Sequence, residues 1–145
     1  MTLLVALHLL GAIVWVGGMF FALAVLRPSL AVLEPALRLA LHREVFRRFF
    51  GIVWVVIPVM FATGLAMLFA FYDGFGGAPW TVHLMTLLGI AMTGVFVAIV
   101  RGPWRAFRAP ETDGAAAASL TRIRALVTVN LALGLLTAIV AVLDY

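Results

Sequence analysis

Residues 3–26 read LLVALHLLGAIVWVGGMFFALAVL, with no Asp, Glu, Lys or Arg among them. At 1.5 Å per residue, a helix of this length spans about 36 Å, enough to cross a bilayer core of about 30 Å. Three further apolar runs, at about 49–71, 81–100 and 125–142, take up most of the remaining chain. The 145 residues are 66% apolar, against about 45–50% for an ordinary soluble domain. The expected architecture is all-α: an integral membrane four-helix bundle of up-down topology, forming a single membrane domain over 1–145. The first run lacks a basic n-region and a small-residue cleavage site, so it reads as a retained helix and not a signal peptide.

Charge orients the bundle. All ten basic residues are arginines. Arg27, Arg38, Arg43, Arg47 and Arg48 follow the first run, and Arg101, Arg105, Arg108, Arg122 and Arg124 follow the third. The segment between the second and third runs carries Asp73 and no base. Positive residues favour the cytoplasmic face, so both termini are expected on the outer, periplasmic side of a bacterial inner membrane. The net charge of +4 therefore points to membrane lipid and not to nucleic acid. Residues 29–48 place Leu30, Leu33, Leu37 and Leu41 at helical spacing, as an amphipathic stretch in the cytoplasmic interface that could run into the second span. Pro28 is expected to end the first helix, and Ser119 to cap the last. The second Arg-rich segment is expected to be a polar loop, mobile near Pro110–Gly114.

The absence of cysteine excludes disulfides, thiolate metal sites and Cys nucleophiles. The absence of lysine excludes Schiff-base chemistry. No pair of carboxylates falls within a span, which argues against a proton-coupled carboxylate transporter.

An ionisable side chain inside a span is a functional-site candidate by default, and His8 is one. His83 opens the third span, which runs in the same direction as the first, so both imidazoles are expected within about 10 Å of the outer boundary. First and third helices lie diagonally in an up-down bundle, an arrangement suited to holding haem b between two histidines for electron transfer. Gly11 and Trp15 beside His8, and Thr86, Ile90 and Gly94 beside His83, would leave room for a flat ring. The alternative is copper: Met67 and Met85 are soft thioethers near the same depth, and with His8 and His83 would suit Cu(I). A third reading is a metal-free accessory subunit in which Asn130, near Gly134, and the glycines only pack helices. Met19, Met60 and Met92 read as core fillers. His42, across the membrane from His8, is expected to be solvated or to touch lipid headgroups. A redox partner or a periplasmic copper protein would serve either metal, and the Gly17–Gly18 pair would allow a homodimer. Any enzymatic activity would be that of an oxidoreductase.

The strings HLLGAIVWVGGMFFALAVLRP, from His8, and RIRALVTVNLALGLLTAIVAV, from Arg122, resemble the copper-resistance D (CopD) domain family. That resemblance implies a four-span inner-membrane protein linked to copper uptake or tolerance. The first string is also similar to HemJ-type protoporphyrinogen oxidases, small four-span proteins that bind haem b, whose first-helix functional histidine matches His8. That family relies on a Lys near the start of the third span, where this chain reads WTVHLMTLLG. The missing Lys argues against protoporphyrinogen oxidation, while the resemblance leaves haem binding open, with His83 or Met85 as second ligand.

Overall fold

The computed structural model describes residues 2–109 and 112–143, which are helix and short connections with no strand among them. In chain order the helices are α1 (Thr2–Phe20), α2 (Arg27–Ser29), α3 (Pro35–Tyr72), α4 (Trp80–Arg101), α5 (Pro103–Arg108) and α6 (Asp113–Val140). A π-helical turn, Phe21–Leu26, joins α1 to α2, and a 3₁₀ turn, Leu30–Val32, follows. Four stretches are long and apolar enough to cross a membrane.

The first span runs past Pro28 instead of stopping there. In the wider π turn the Arg27 N–H reaches back to the Ala22 carbonyl, so the ladder has already shifted where proline withholds a donor. Ser29 Oγ donates to the Val25 carbonyl at 2.7 Å, satisfying one acceptor in this region. After an extended Glu34, α3 begins at Pro35 and runs for 38 residues, or about 57 Å. The amphipathic stretch and the second span are thus one helix, with Pro58 inside it. Its buried stripe, His42, Phe46, Phe50, Val53 and Ile57, follows the spacing of one helix face. The helix stops where Asp73 turns left-handed at φ 54°, and both Asp73 and Gly74 donate N–H bonds to the Leu68 carbonyl.

The second Arg-rich segment is more ordered than a polar loop. Trp104 and Phe107 on α5 are buried and pin this short helix to the bundle. Pro110 and Glu111, where mobility was expected, lie outside the described residues. The N-cap of α6 is Thr112, not Ser119: its Oγ1 accepts from Ala115 N–H at 3.1 Å, and Asp113 occupies the first turn. Ser119 is about two turns further in, where intrahelical bonds leave no orphan N–H to cap. Thr112→Ala is expected to cost about 1 kcal/mol, seen as a lower thermal midpoint in detergent, whereas Ser119→Ala is expected to change it little.

In the bundle, α1 packs on α3 and α6, and α6 packs on α4 and α5. Aromatic contacts close the ring between α3 and α4: Trp54 and Phe50 lie 5.2 and 5.7 Å from Phe96, ring centre to ring centre. Phe50 also meets Trp104 edge-on at 5.3 Å. Phe50, Phe96 and Trp104 belong to one core cluster with Trp15, Met19, Met92, Phe107, Leu120 and Ile123. Glycines set the helix spacing. A Cβ at Gly11 would lie 2.6 Å from Met60 Sδ, one at Gly18 would overlap the Phe49 ring, and one at Gly134 would lie 2.8 Å from Val16 Cγ2. Gly18 is therefore spent on packing within the chain, while Gly17 faces open space. The opposite faces are an apolar exterior of the kind lipid covers, with Ile13, Trp54, Leu87, Ile90 and Ile139 each at least half exposed.

Candidate metal site around His8

The inward stripe of α1 runs through Leu4, His8, Gly11, Trp15 and Met19, which are buried or half-buried between exposed neighbours. This puts His8 on the face that meets α3. Its Nδ1 lies 2.9 Å from Thr63 Oγ1, and Thr63 is 6% exposed. The direction of that bond follows from proton counting. The hydroxyl has one proton, which goes back along the helix to the Val59 carbonyl at 2.7 Å. His8 Nδ1 must therefore be the donor and Thr63 Oγ1 the acceptor. The ring is fixed as the Nδ1–H tautomer, and Nε2 keeps its lone pair. Metal-binding histidines have this same arrangement, one nitrogen held by a hydrogen-bond partner and the other free to ligate. Gly64 makes it possible, since a Cβ there would come within 3.3 Å of His8 Cε1.

His83 is placed differently. It is exposed, its Nδ1 donates to the Pro79 carbonyl at 3.0 Å, and its ring lies 5.7 Å from that of Phe75. No hydrogen bond or ring contact among the described residues joins it to His8. Helical periodicity explains this. The inward stripe of α4 is Thr81, Met85, Leu88, Met92 and Phe96, whereas His83 shares the exposed face with Leu87, Ile90 and Gly94. Matched depth was legible in the chain, but depth does not decide which face a residue takes. The room expected for a flat ring is also filled or turned outward. Met60 Sδ occupies the space at Gly11, Trp15 is packed in the core, and Gly94 faces open space. The structure thus offers haem b neither a second histidine opposite His8 nor the expected gap.

The thioethers fare better. Met67 and Met85 are half-buried. Met67 lies one turn beyond Thr63 on α3, and Met85 one turn beyond Thr81 on α4. Met60 meets Gly11 one turn from His8. No group of three or more His, Cys, Asp or Glu residues occurs among the described residues, so the donors available around His8 are imidazole and thioether. Met19 and Met92 are buried in the core, as expected of fillers.

Two polar residues deep in the bundle complete the inventory. Asn130 is 1% exposed, on the α6 stripe with Val127 and Gly134, and its Oδ1 has no hydrogen-bond partner among the described residues. His42 is 3% exposed, not solvated as expected. Its Nδ1 donates to the Arg38 carbonyl at 2.9 Å, and its Nε2 accepts from Arg124 Nη2 at 3.2 Å. Because guanidinium can only donate, His42 is neutral in this pair. Arg124 comes from α6, 82 positions away in sequence, and nothing local to His42 announces it.

Among known proteins, the family model for copper resistance protein D (CopD) matches residues 43–143, more than half the chain. The match includes the second string on which the resemblance rests and leaves out the first, so His8 lies ahead of the matched segment. No curated protein matches, and no solved structure does.

Proposed function

The chain belongs to the copper resistance protein D (CopD) family, and on that premise we propose that it is an inner-membrane copper-handling protein that takes Cu(I) as cargo at His8. It is a multi-pass membrane protein with four candidate spans. The observation that carries the reading is the Thr63–His8 bond, which leaves the Nε2 lone pair unprotonated; the half-buried thioethers of Met67 on α3 and Met85 on α4 are the soft donors taken to complete the set. Imidazole with thioether is a donor set suited to Cu(I) and poorly suited to Mg²⁺ or Ca²⁺. In this reading the His8 end faces the periplasm and the arginine end the cytoplasm. Copper uptake or tolerance then begins with capture of the ion near the outer face.

The test is an anaerobic Cu(I) titration of the purified protein against a chromophoric chelator. One Cu(I) per chain is expected. Met67→Leu and Met85→Leu should each weaken binding about tenfold, as loss of a soft ligand does, and the double variant should weaken it further. No copper uptake, or equal affinity in the double variant, would sink the assignment. A Soret band from the protein as purified would overturn it in favour of haem.

A further inference from the structure

At the arginine end, the α1–α2 extension, the start of α3 and the start of α6 enclose a cavity of about 440 Å³. Arg27, Arg38, Arg124 and His42 line it, with Leu30, Leu39 and Leu120 on its apolar walls. Asp113 is the one carboxylate among the lining residues. Ion pairs among the described residues join only Glu44 to Arg47 and Arg48, so none of the three cavity arginines is neutralised by a carboxylate. Arg38 is turned toward the carbonyls of Leu33 and Ala31. The Arg27 guanidinium makes no hydrogen bond or ion pair among the described residues. Arg124 donates Nη2 to His42, but its Nε is buried with no partner among the described residues.

One carboxylate, Asp113, against three guanidiniums leaves the cavity short of counter-charge. Three guanidinium groups facing one small cavity repel each other, and a buried N–H of a charged group without an acceptor is costly to leave unmade. His42 cannot supply the missing charge, because it is neutral in its bond to Arg124. It acts instead as a positioning residue: packed against Phe46 at 5.7 Å between ring centres, it holds the guanidinium at the cavity wall. We infer that this cavity binds a phosphate oxyanion, held by the Arg27, Arg38 and Arg124 guanidiniums. Oxygen atoms of a phosphate accept several guanidinium N–H bonds at once, and basic pockets between spanning helices suit anionic headgroups. The same chemistry is presented by the headgroup of an anionic lipid and by free inorganic phosphate. The site lies at the opposite end of the bundle from His8 and does not depend on copper.

The experiment uses the full chain, stripped of lipid in a neutral detergent. Phosphatidylglycerol, phosphatidylcholine and inorganic phosphate are each added, and binding is read by native mass spectrometry and by the thermal midpoint. Phosphatidylglycerol is expected to bind at least about tenfold more tightly than phosphatidylcholine, the scale of one charge-assisted hydrogen bond. A rise in midpoint with inorganic phosphate alone would identify the free ion as the source. In either case Arg124→Gln, which keeps a donor for His42 and removes the charge, should abolish the preference. Arg27→Gln should weaken it, and because that side chain is exposed this variant decides the matter if Arg124→Gln fails to fold. Arg122→Gln, at an exposed arginine outside the cavity, should leave it intact. No preference for either anion, retention of the preference in both cavity variants, or equal loss in Arg122→Gln would overturn the inference.

Discussion

His8→Ala is expected to abolish tight Cu(I) binding, with a loss of at least about 100-fold in affinity. The argument rests on the donor inventory. In the proposed site one imidazole acts with the half-buried thioethers of Met67 and Met85, and among the described residues no carboxylate or histidine cluster replaces a lost nitrogen. Removing that imidazole leaves only thioethers, which are weak ligands on their own. Thr63→Val tests the same geometry from the other side. It preserves side-chain shape but removes the acceptor that fixes the Nδ1–H tautomer, and loss of such an orienting partner typically costs about 10–100-fold in metal affinity. The measurement is the chelator competition already described, with far-ultraviolet circular dichroism to establish that both variants remain helical. If His8→Ala bound Cu(I) as tightly as the unaltered protein, copper would be held elsewhere.

Gly134→Leu is expected to give a large loss of stability. A Cβ at this position would already lie 2.8 Å from Val16 Cγ2 and 3.1 Å from Met92 Cε. Leucine therefore drives α6 away from α1 and α4 at once. Overpacking of this kind costs about 1–3 kcal/mol or more, and in a membrane close approach of backbones is itself a main source of helix association. A fall of several degrees in thermal midpoint is expected in detergent, about the shift that 1–3 kcal/mol gives in a domain of this size. Gly94→Leu is the matched control, because Gly94 faces open space and the leucine would join an exposed apolar face. Equal losses at the two positions would mean that helix propensity, not packing, sets the effect.

These two positions also separate what was legible in the sequence from what was not. Four apolar runs and their lengths were legible, because crossing a bilayer imposes a length that any reader can count. The importance of Gly134 was legible from its spacing to Asn130 on one face. The face taken by His83 was readable in principle: its neighbours at helical spacing, Leu87, Ile90 and Gly94, are the exposed ones. Which of two apolar faces turns inward, however, is settled by packing partners that no single helix displays. Ends of helices were harder. Pro28 is a sound stop signal until a π turn changes which carbonyls need a donor, and Thr112 outcompetes Ser119 as a cap because it precedes Asp113 and a run of alanines. The His42–Arg124 bond was out of reach, since it joins residues from two helices that only the folded bundle brings together. His42 is also the case where a basic, amphipathic neighbourhood suggested water and the fold supplied a protein partner.

The aromatic cluster at the arginine end has a mechanical consequence. Phe46, Phe50, Phe96, Trp104 and Phe107 lock three helices together there, whereas His8 and its neighbours Leu4 and Gly11 on the same stripe lie outside the core cluster. Local opening follows the density of buried apolar contacts, so the four helices resemble tines fixed in a common handle. Their free ends, on the side where His8 sits, are where opening is expected first, while the handle keeps the tines in register.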